Sequence, residues 1–208
     1  MSGLVVVDHG AGNLPNLVRA LEHLGQTPRV SGDPNVVLSA DRLILPGVGA
    51  FGDCMAELKR SGLITALLAF RERERPLLGI CVGMQVLFSE SEEFGPVSGL
   101  DWLPGRVVRL QRTAERKVPN MGWCPVHLLR SHPVLASAGR GPYFYFVHSY
   151  HAQCQAPEDV LAIVRPDANE EPITAAVAKN ALIAVQFHPE KSSESGLKLL
   201  EAFCHWTP

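Results

Sequence analysis

The chain has 208 residues, 46% hydrophobic and 19% charged, which is the composition of a globular protein and enough chain for one large core, so one domain over residues 1–208 is expected. Its 19 basic and 21 acidic residues are well mixed and leave a formal net charge of -2, which gives no electrostatic platform for nucleic acid or anionic lipid. The five cysteines, Cys54, Cys81, Cys124, Cys154 and Cys204, are widely spaced and form no CxxC, which argues against a zinc knuckle or a disulfide framework and suits a reducing compartment.

The N-terminus MSGLVVVDHG lacks a basic lead, and Asp8 ends its apolar run. It reads as a first strand rather than a signal peptide. No window approaches the apolar length that crosses a bilayer, and a cytoplasmic protein is expected. Leu4-Val5-Val6-Val7 has the pattern of a strand buried on both faces. Asn13 can cap a helix whose apolar positions Leu17, Val18, Leu21 and Leu24 recur at helical spacing, with Gly25 as its stop. Arg42-Leu43-Ile44-Leu45 is the next strand, followed at once by the glycine-rich turn Pro46-Gly47-Val48-Gly49. A helical stretch runs from about Cys54 towards Arg73, broken near Gly62. Pro76-Leu77-Leu78-Gly79-Ile80 is strand-like again, and a helical pattern with Met84, Val86, Leu87 and Phe88 follows Cys81.

This alternation predicts parallel strands joined by right-handed crossovers, with ligands gathering at the carboxyl ends of the strands. From about Arg106 to Val185 short strands dominate, including Val107-Val108-Arg109-Leu110 and Tyr143-Phe144-Tyr145-Phe146-Val147, and they are expected to add antiparallel strands to the sheet. Leu182-Ile183-Ala184-Val185 and a helix around Leu197, Leu200 and Phe203 close the chain.

Gly79-Ile80-Cys81-Val82-Gly83 has the form G-x-C-x-G with strand before and helix after. It is the cysteine counterpart of the nucleophile elbow, a tight turn that exposes its central side chain. The flanking glycines allow backbone to approach closely, and the amides of the following helix favour a thiolate. The alternative is a small buried cysteine without chemistry. A nucleophile needs a base, and Gln186-Phe187-His188-Pro189-Glu190-Lys191-Ser192 supplies a candidate directly after a strand. His188 and Glu190 are two apart, so in an extended segment they share a side, and Glu190 can fix the tautomer of His188. Acyl transfer from an amide also needs backbone donors for the developing oxyanion. The amide of Val82 and one from the Val48–Gly49 region are the natural pair. His148 and His151 have an HxxH spacing but no clear third ligand, so neither a metal nor another cofactor is expected.

Together LPGVGAFGD, GICVGMQVLFSESEEFG, KVPNMGW, FYFVHSY and VQFHPEKS resemble the class I glutamine amidotransferases, and more narrowly the glutaminase subunits of imidazole glycerol phosphate synthases. The likeness runs from about Val5 to the terminal helix. It implies a flavodoxin-like three-layer α/β/α sandwich with a mostly parallel central sheet, and hydrolysis of L-glutamine to glutamate and ammonia through a Cys81 thioester. His188 would shuttle the proton and Glu190 would orient it. Gly49, Gln85, Glu93, His148, Ser149 and Tyr150 would hold the substrate. The resemblance also implies a (β/α)8-barrel cyclase subunit as partner in a heterodimer of histidine biosynthesis, receiving the ammonia. Asn13, Trp123 and Lys191 match positions near that docking surface, and their plainer readings are a helix cap, a core aromatic and a solvated lysine.

Three residues depart from the family pattern. Asn120 stands where histidine is usual, Cys124 where asparagine is usual, and His9 where tyrosine is usual. Glycines on both sides of Val48 would let its peptide planes turn, so the second oxyanion donor could be set by the partner. Alternative readings are the glutaminase subunit of pyridoxal 5′-phosphate synthase, a cysteine peptidase or γ-glutamyl hydrolase on a related fold, and a catalytically dead regulatory binder. FVHSY and KVPNMGW argue against the first, and the intact Cys81, His188 and Glu190 against the last.

Overall fold

A computed structural model describes residues 3–10, 12–113, 117–165 and 171–208. The β-branched run forms β1 (Leu4–Val7), buried along its whole length as a strand covered on both faces must be. Helix α1 (Leu14–His23) follows and ends at Gly25, whose φ of +74° suits a glycine stop; Gln26 N–H donates to the Leu21 carbonyl. Asn13 sits at the N-cap position, but its side chain makes no capping bond. The reason is local: Pro15 has no N–H to offer, and Asn13 Oδ1 accepts instead from the Asn16 side-chain amide at 2.9 Å.

Strand β2 (Arg29–Ser31) and helix α2 (Pro34–Ser39), capped by Asp33 at 2.8 Å from Asn35 N, lead into β3 (Arg42–Gly47). The expected break at Gly62 is there: it divides α3 (Phe51–Arg60) from α4 (Leu63–Arg71), with φ +73°. Strand β4 (Leu77–Cys81) comes next and ends on the cysteine.

The helix after Cys81 is shorter than its apolar pattern predicts. Helix α5 (Val82–Gln85) is one turn, and Phe88 already belongs to β5 (Phe88–Ser91). Tertiary contacts override the local pattern here. The carbonyls of Val86 and Leu87 accept from Leu100 and Trp102 N–H at 2.8 and 2.9 Å, which they could not do inside a longer helix. Any electrostatic help to Cys81 therefore comes from the first free amides of one turn rather than from a long helix dipole.

Beyond β5 lie β6 (Val97–Ser98), β7 (Leu103–Arg109), β8 (Asn120–Pro125), β9 (His127–Leu128), the short α6 (Pro133–Ala136), β10 (Tyr143–His148), β11 (Tyr150–Cys154), β12 (Val160–Val164), β13 (Ile173–Lys179), β14 (Leu182–Val185) and α7 (Ser193–His205). The main sheet has the order β2-β1-β3-β4-β14-β13-β12-β9. Its first five strands are parallel and the last three antiparallel. The parallel part has the 2-1-3-4-5 order of a flavodoxin-like sheet. Helix α2 packs with α4, and α1 with α7, as the outer layers require.

Two strands expected as additions to this sheet lie elsewhere. Strand β7 belongs to a four-stranded sheet, β11-β7-β5-β6, and β10 pairs with β8 in a ribbon whose register runs from Tyr143↔Pro125 to His148↔Asn120. The ribbon is held over the end of β14 by its aromatics: Phe144 stacks on Phe187 with ring centroids 3.9 Å apart, and both are fully buried. No helix among the described residues is long and apolar enough to cross a membrane.

Candidate active site

The carboxyl ends of β3, β4 and β14 lie side by side, with Gly47 beside Cys81 and Val185 beside Ile80. The residue closing β4 is Cys81, at φ +55° and ψ -113°. A non-glycine residue held at positive φ is strained backbone of the kind that gathers at functional sites. Its neighbours explain the glycines. A Cβ on Gly83 would strike the carbonyl of Leu45, and one on Gly79 would come 2.9 Å from the carbonyl of Gly83. On the facing strand, a Cβ on Gly47 would meet Gly83 N at 2.7 Å. The elbow is thus a packed crossing of two backbones that tolerates no side chain at these positions.

His188 follows β14 and is anchored to the ribbon, its N–H donating to the Tyr145 carbonyl at 2.9 Å. Ser192 locks the turn: its hydroxyl donates to the His188 carbonyl at 2.6 Å and accepts from Tyr145 N at 2.9 Å. The imidazole Nδ1–H donates to Glu190 Oε1 at 2.9 Å, both side chains only 3% exposed, and the ring is also hydrogen-bonded to Cys81. Burial opposes the charged imidazole, but the bonds to Cys81 and Glu190, with their charges, outweigh it and raise His188 to about 9. The three residues therefore form a connected Cys, His, Glu arrangement that can move a proton between sulfur and a leaving group.

The other thiols have a different character. Burial, followed by the charge of Cys81, pushes Cys54 up to about 12. Burial also takes Cys204 to about 11 and raises Cys124 and Cys154. All five cysteines are free.

Beside Cys81 opens a cavity of about 210 Å³ lined by Gly49, Val82, Gln85, Glu93, Val147, His148, Ser149 and Tyr150 as well as by Cys81 itself. Every expected substrate residue is on that list, and Val147 joins them. Gln85 Nε2 donates to the Tyr150 carbonyl and to Gln186 Oε1, both at 2.9 Å. The Glu93 carboxylate accepts from Phe51 N–H at 2.7 Å, at the start of α3, a favourable place for negative charge. Gly49 has φ +89° and Val48 is exposed. Val48 lines a narrow crevice with Asn13, Pro46, His188 and Glu190, on another side of the elbow.

The family departures have partners. His9 is buried, and its Nε2–H donates to the Pro46 carbonyl at 2.8 Å, pinning the start of the Pro46-Gly47-Val48-Gly49 turn. Asn120 Nδ2 donates to His148 Nε2 at 3.0 Å, while His148 Nδ1–H donates to the Tyr150 carbonyl at 2.8 Å. Cys124 Sγ lies 3.7 Å from Asn120 Oδ1. The two departures on β8 thus bond each other, and through His148 they reach the wall of the cavity.

Of the residues matched to a docking surface, Asn13 donates from Nδ2 to Glu190 Oε1 at 3.3 Å. Trp123 is 52% exposed, which removes its reading as a core aromatic, and it meets Tyr145 edge-on at 6.3 Å. Lys191 Nζ stands 5.8 Å over the same Tyr145 ring. A depression of about 610 Å³ borders Trp123 along β8. Among the described residues no cluster of three His, Cys, Asp or Glu could hold a metal ion. His148 and His151 lie on different strands, β10 and β11.

Sequence reasoning gave no role to Gln186, Ser192 or Val147. The missed signal for Gln186 was its place two residues before His188, where the chain leaves β14. The extended geometry expected for the segment stops there, since Pro189–Lys191 is a 3-10 turn that brings Glu190 to His188.

The sequence pattern of the family Glutamine amidotransferase class-I matches residues 5–206. The chain is 44% identical over 205 residues to the imidazole glycerol phosphate synthase subunit HisH of Syntrophotalea carbinolica, covering 96% of this chain and 98% of that protein. It is 45% identical over 207 residues to the subunit of the same name from Chloroflexus aurantiacus, covering 98% and 96%. In three dimensions it is similar to a solved glutamine amidotransferase, with a TM-score of 0.72 at 20% identity over 96% of this chain and 99% of that one; that likeness speaks for the fold.

Proposed function

The chain belongs to the class-I glutamine amidotransferases, and on that premise we propose that it is the glutaminase subunit of an imidazole glycerol phosphate synthase, acting as one domain over residues 1–208. The observation that carries the reading is Cys81, held at positive φ between His188 and a cavity of about 210 Å³.

L-Glutamine enters that cavity with its side-chain amide at the sulfur, and Gly49, Gln85, Glu93 and the segment His148, Ser149 and Tyr150 hold its other end. Glu93 is suited to an ammonium group, and backbone N–H groups of the segment would serve a carboxylate. His188, raised to about 9, holds the proton as an imidazolium beside the sulfur while the sulfur attacks the amide carbon. The N–H of Val82 and one from Val48 or Gly49 receive the oxyanion. His188 then gives its proton to the departing nitrogen, ammonia leaves, and a thioester remains. Water, activated by the same imidazole, hydrolyses the thioester to glutamate and restores the thiol. Glu190 holds His188 in one tautomer and stabilises its charged form.

The partner is a (β/α)8-barrel cyclase subunit that uses the ammonia. Exposed Trp123, Lys191 over Tyr145, and Asn13 behind Glu190 make up the face offered to it. The similarity to HisH subunits over nearly the whole chain supports this reading against a pyridoxal 5′-phosphate synthase glutaminase. The test is glutamine hydrolysis with and without the barrel subunit and its nucleotide ligand. Co-purification and stimulated hydrolysis are expected. Full activity in the isolated subunit would remove the idea that the partner sets the Val48–Gly49 donor, and failure to pass ammonia to the cyclase would refute the assignment.

A further inference from the structure

Gln186 is fully buried at the end of β14, two residues before His188, and the chemistry above gives it no task. Its backbone N–H is spent on the Ala175 carbonyl at 2.9 Å. Its side chain bridges the two functional walls of the site: Oε1 accepts from Gln85 Nε2 at 2.9 Å, and Nε2 lies 3.7 Å from Cys81 Sγ.

The direction of this bridge follows from its surroundings. The Tyr150 carbonyl can only accept, and it receives both His148 Nδ1–H and Gln85 Nε2. The amino end of Gln85 must therefore face Tyr150 and Gln186, which turns its carbonyl oxygen the other way. Gln186 has to meet that amino group with its own oxygen, so its NH₂ is left for the sulfur. A flipped Gln186 would set two amino groups against each other and a carbonyl oxygen against the sulfur at a fully buried position.

We propose that Gln186 is a positioning residue for the glutaminase reaction: it fixes which end of Gln85 meets the substrate and donates an N–H to Cys81 that strengthens as the sulfur becomes anionic. Hydrogen bonds to an ionised partner are stronger than those to a neutral one, so the bridge favours the attacking form. The inference rests on Cys81 as the nucleophile. The titratable groups facing Cys81 are His188, with Glu190 behind it, Cys54 of α3, and Glu93 and His148 of the shared cavity; Gln186→Leu leaves all of them in place, and Gln186→Glu adds one carboxylate to them.

The test uses the full chain with its barrel subunit and two variants, Gln186→Leu and Gln186→Glu. Two quantities are read: kcat and KM for glutamine, and the pH dependence of alkylation by iodoacetamide mapped to the Cys81 peptide. Gln186→Leu, of similar size, removes both bonds. KM should rise about tenfold, the loss of one buried hydrogen bond, and the alkylation midpoint should move up by about one pH unit. Gln186→Glu keeps an acceptor for Gln85 and removes the donor to sulfur. Its KM should stay within about twofold of the parent, while its alkylation midpoint moves up at least as far as that of the leucine variant.

A merely structural side chain would leave the alkylation profile in place, and an unchanged midpoint in either folded variant overturns the proposal. So does an equal rise of KM in both. If Gln186→Leu fails to fold, Gln186→Met, uncharged and likewise without a donor, takes its place in the alkylation arm. Retained glutaminase activity in Cys81→Ala would instead refute the underlying reading, while the alkylation arm would still report on the bridge.

Discussion

Cys81 is held on two sides by different chemistry. On one side stand His188 and Glu190, a buried charged pair with Asn13 behind it. On the other runs a chain of uncharged donors and acceptors: Gln186, Gln85, the Tyr150 carbonyl, His148 with both ring nitrogens engaged, Asn120 and Cys124. The first side can give and take a proton. The second fixes orientation along the cavity wall. Damage to the first should therefore appear in kcat, and damage to the second chiefly in KM.

Glu190→Gln breaks the first side alone. With the acceptor for His188 Nδ1–H weakened and the charge removed, kcat should fall by about 10²- to 10⁴-fold while KM stays within about twofold. The same pair shapes stability. His188 titrates at about 9 in the fold against an ordinary 6.5, so its stabilising contribution is complete below about 6.5 and is lost as pH rises through about 9. Urea unfolding should thus show stability declining across that window, and Glu190→Gln should lessen the decline without abolishing it, because Cys81 also raises His188. A steep decline kept in the variant would detach the effect from this pair.

Gly83→Ala strikes both sides at once, because a Cβ there collides with the Leu45 carbonyl. A loss of about 3 kcal/mol in unfolding free energy is expected, with kcat and KM damaged together. A variant as stable as the parent would show that the two backbones can separate, and with them the two sides. The smallest effect belongs to the far end of the second side. Asn120→Leu removes the donor to His148 Nε2 and should raise KM about threefold, with kcat nearly unchanged. A fall in kcat at constant KM would erase the distinction between the sides.

These two sides were unequally legible in the sequence. The parallel strands announce themselves as buried β-branched runs punctuated by glycine, and G-x-C-x-G marks the elbow through the backbone crossing it must permit. His188 and Glu190 could be paired on a spacing of two. The second side depends on long-range pairing that no local pattern carries: β8 meets β10 with Asn120 opposite His148, and Gln85 reaches Tyr150 and Gln186 from a helix one turn long. Asn13 shows the converse. Its cap signal was sound as a local pattern, yet its amide serves Glu190, 177 residues away in the chain. Val86, Leu87 and Phe88 read as helix until the segment between β6 and β7, at Leu100, Asp101 and Trp102, claims their carbonyls.

The central claim is that Cys81 is the nucleophile whose chemistry both sides serve. It is tested most directly by Cys81→Ala in complex with the cyclase subunit, with synthesis measured separately on glutamine and on free ammonia. The account predicts that the glutamine-dependent rate disappears while the ammonia-dependent rate remains that of the parent complex. Continued turnover on glutamine would contradict it.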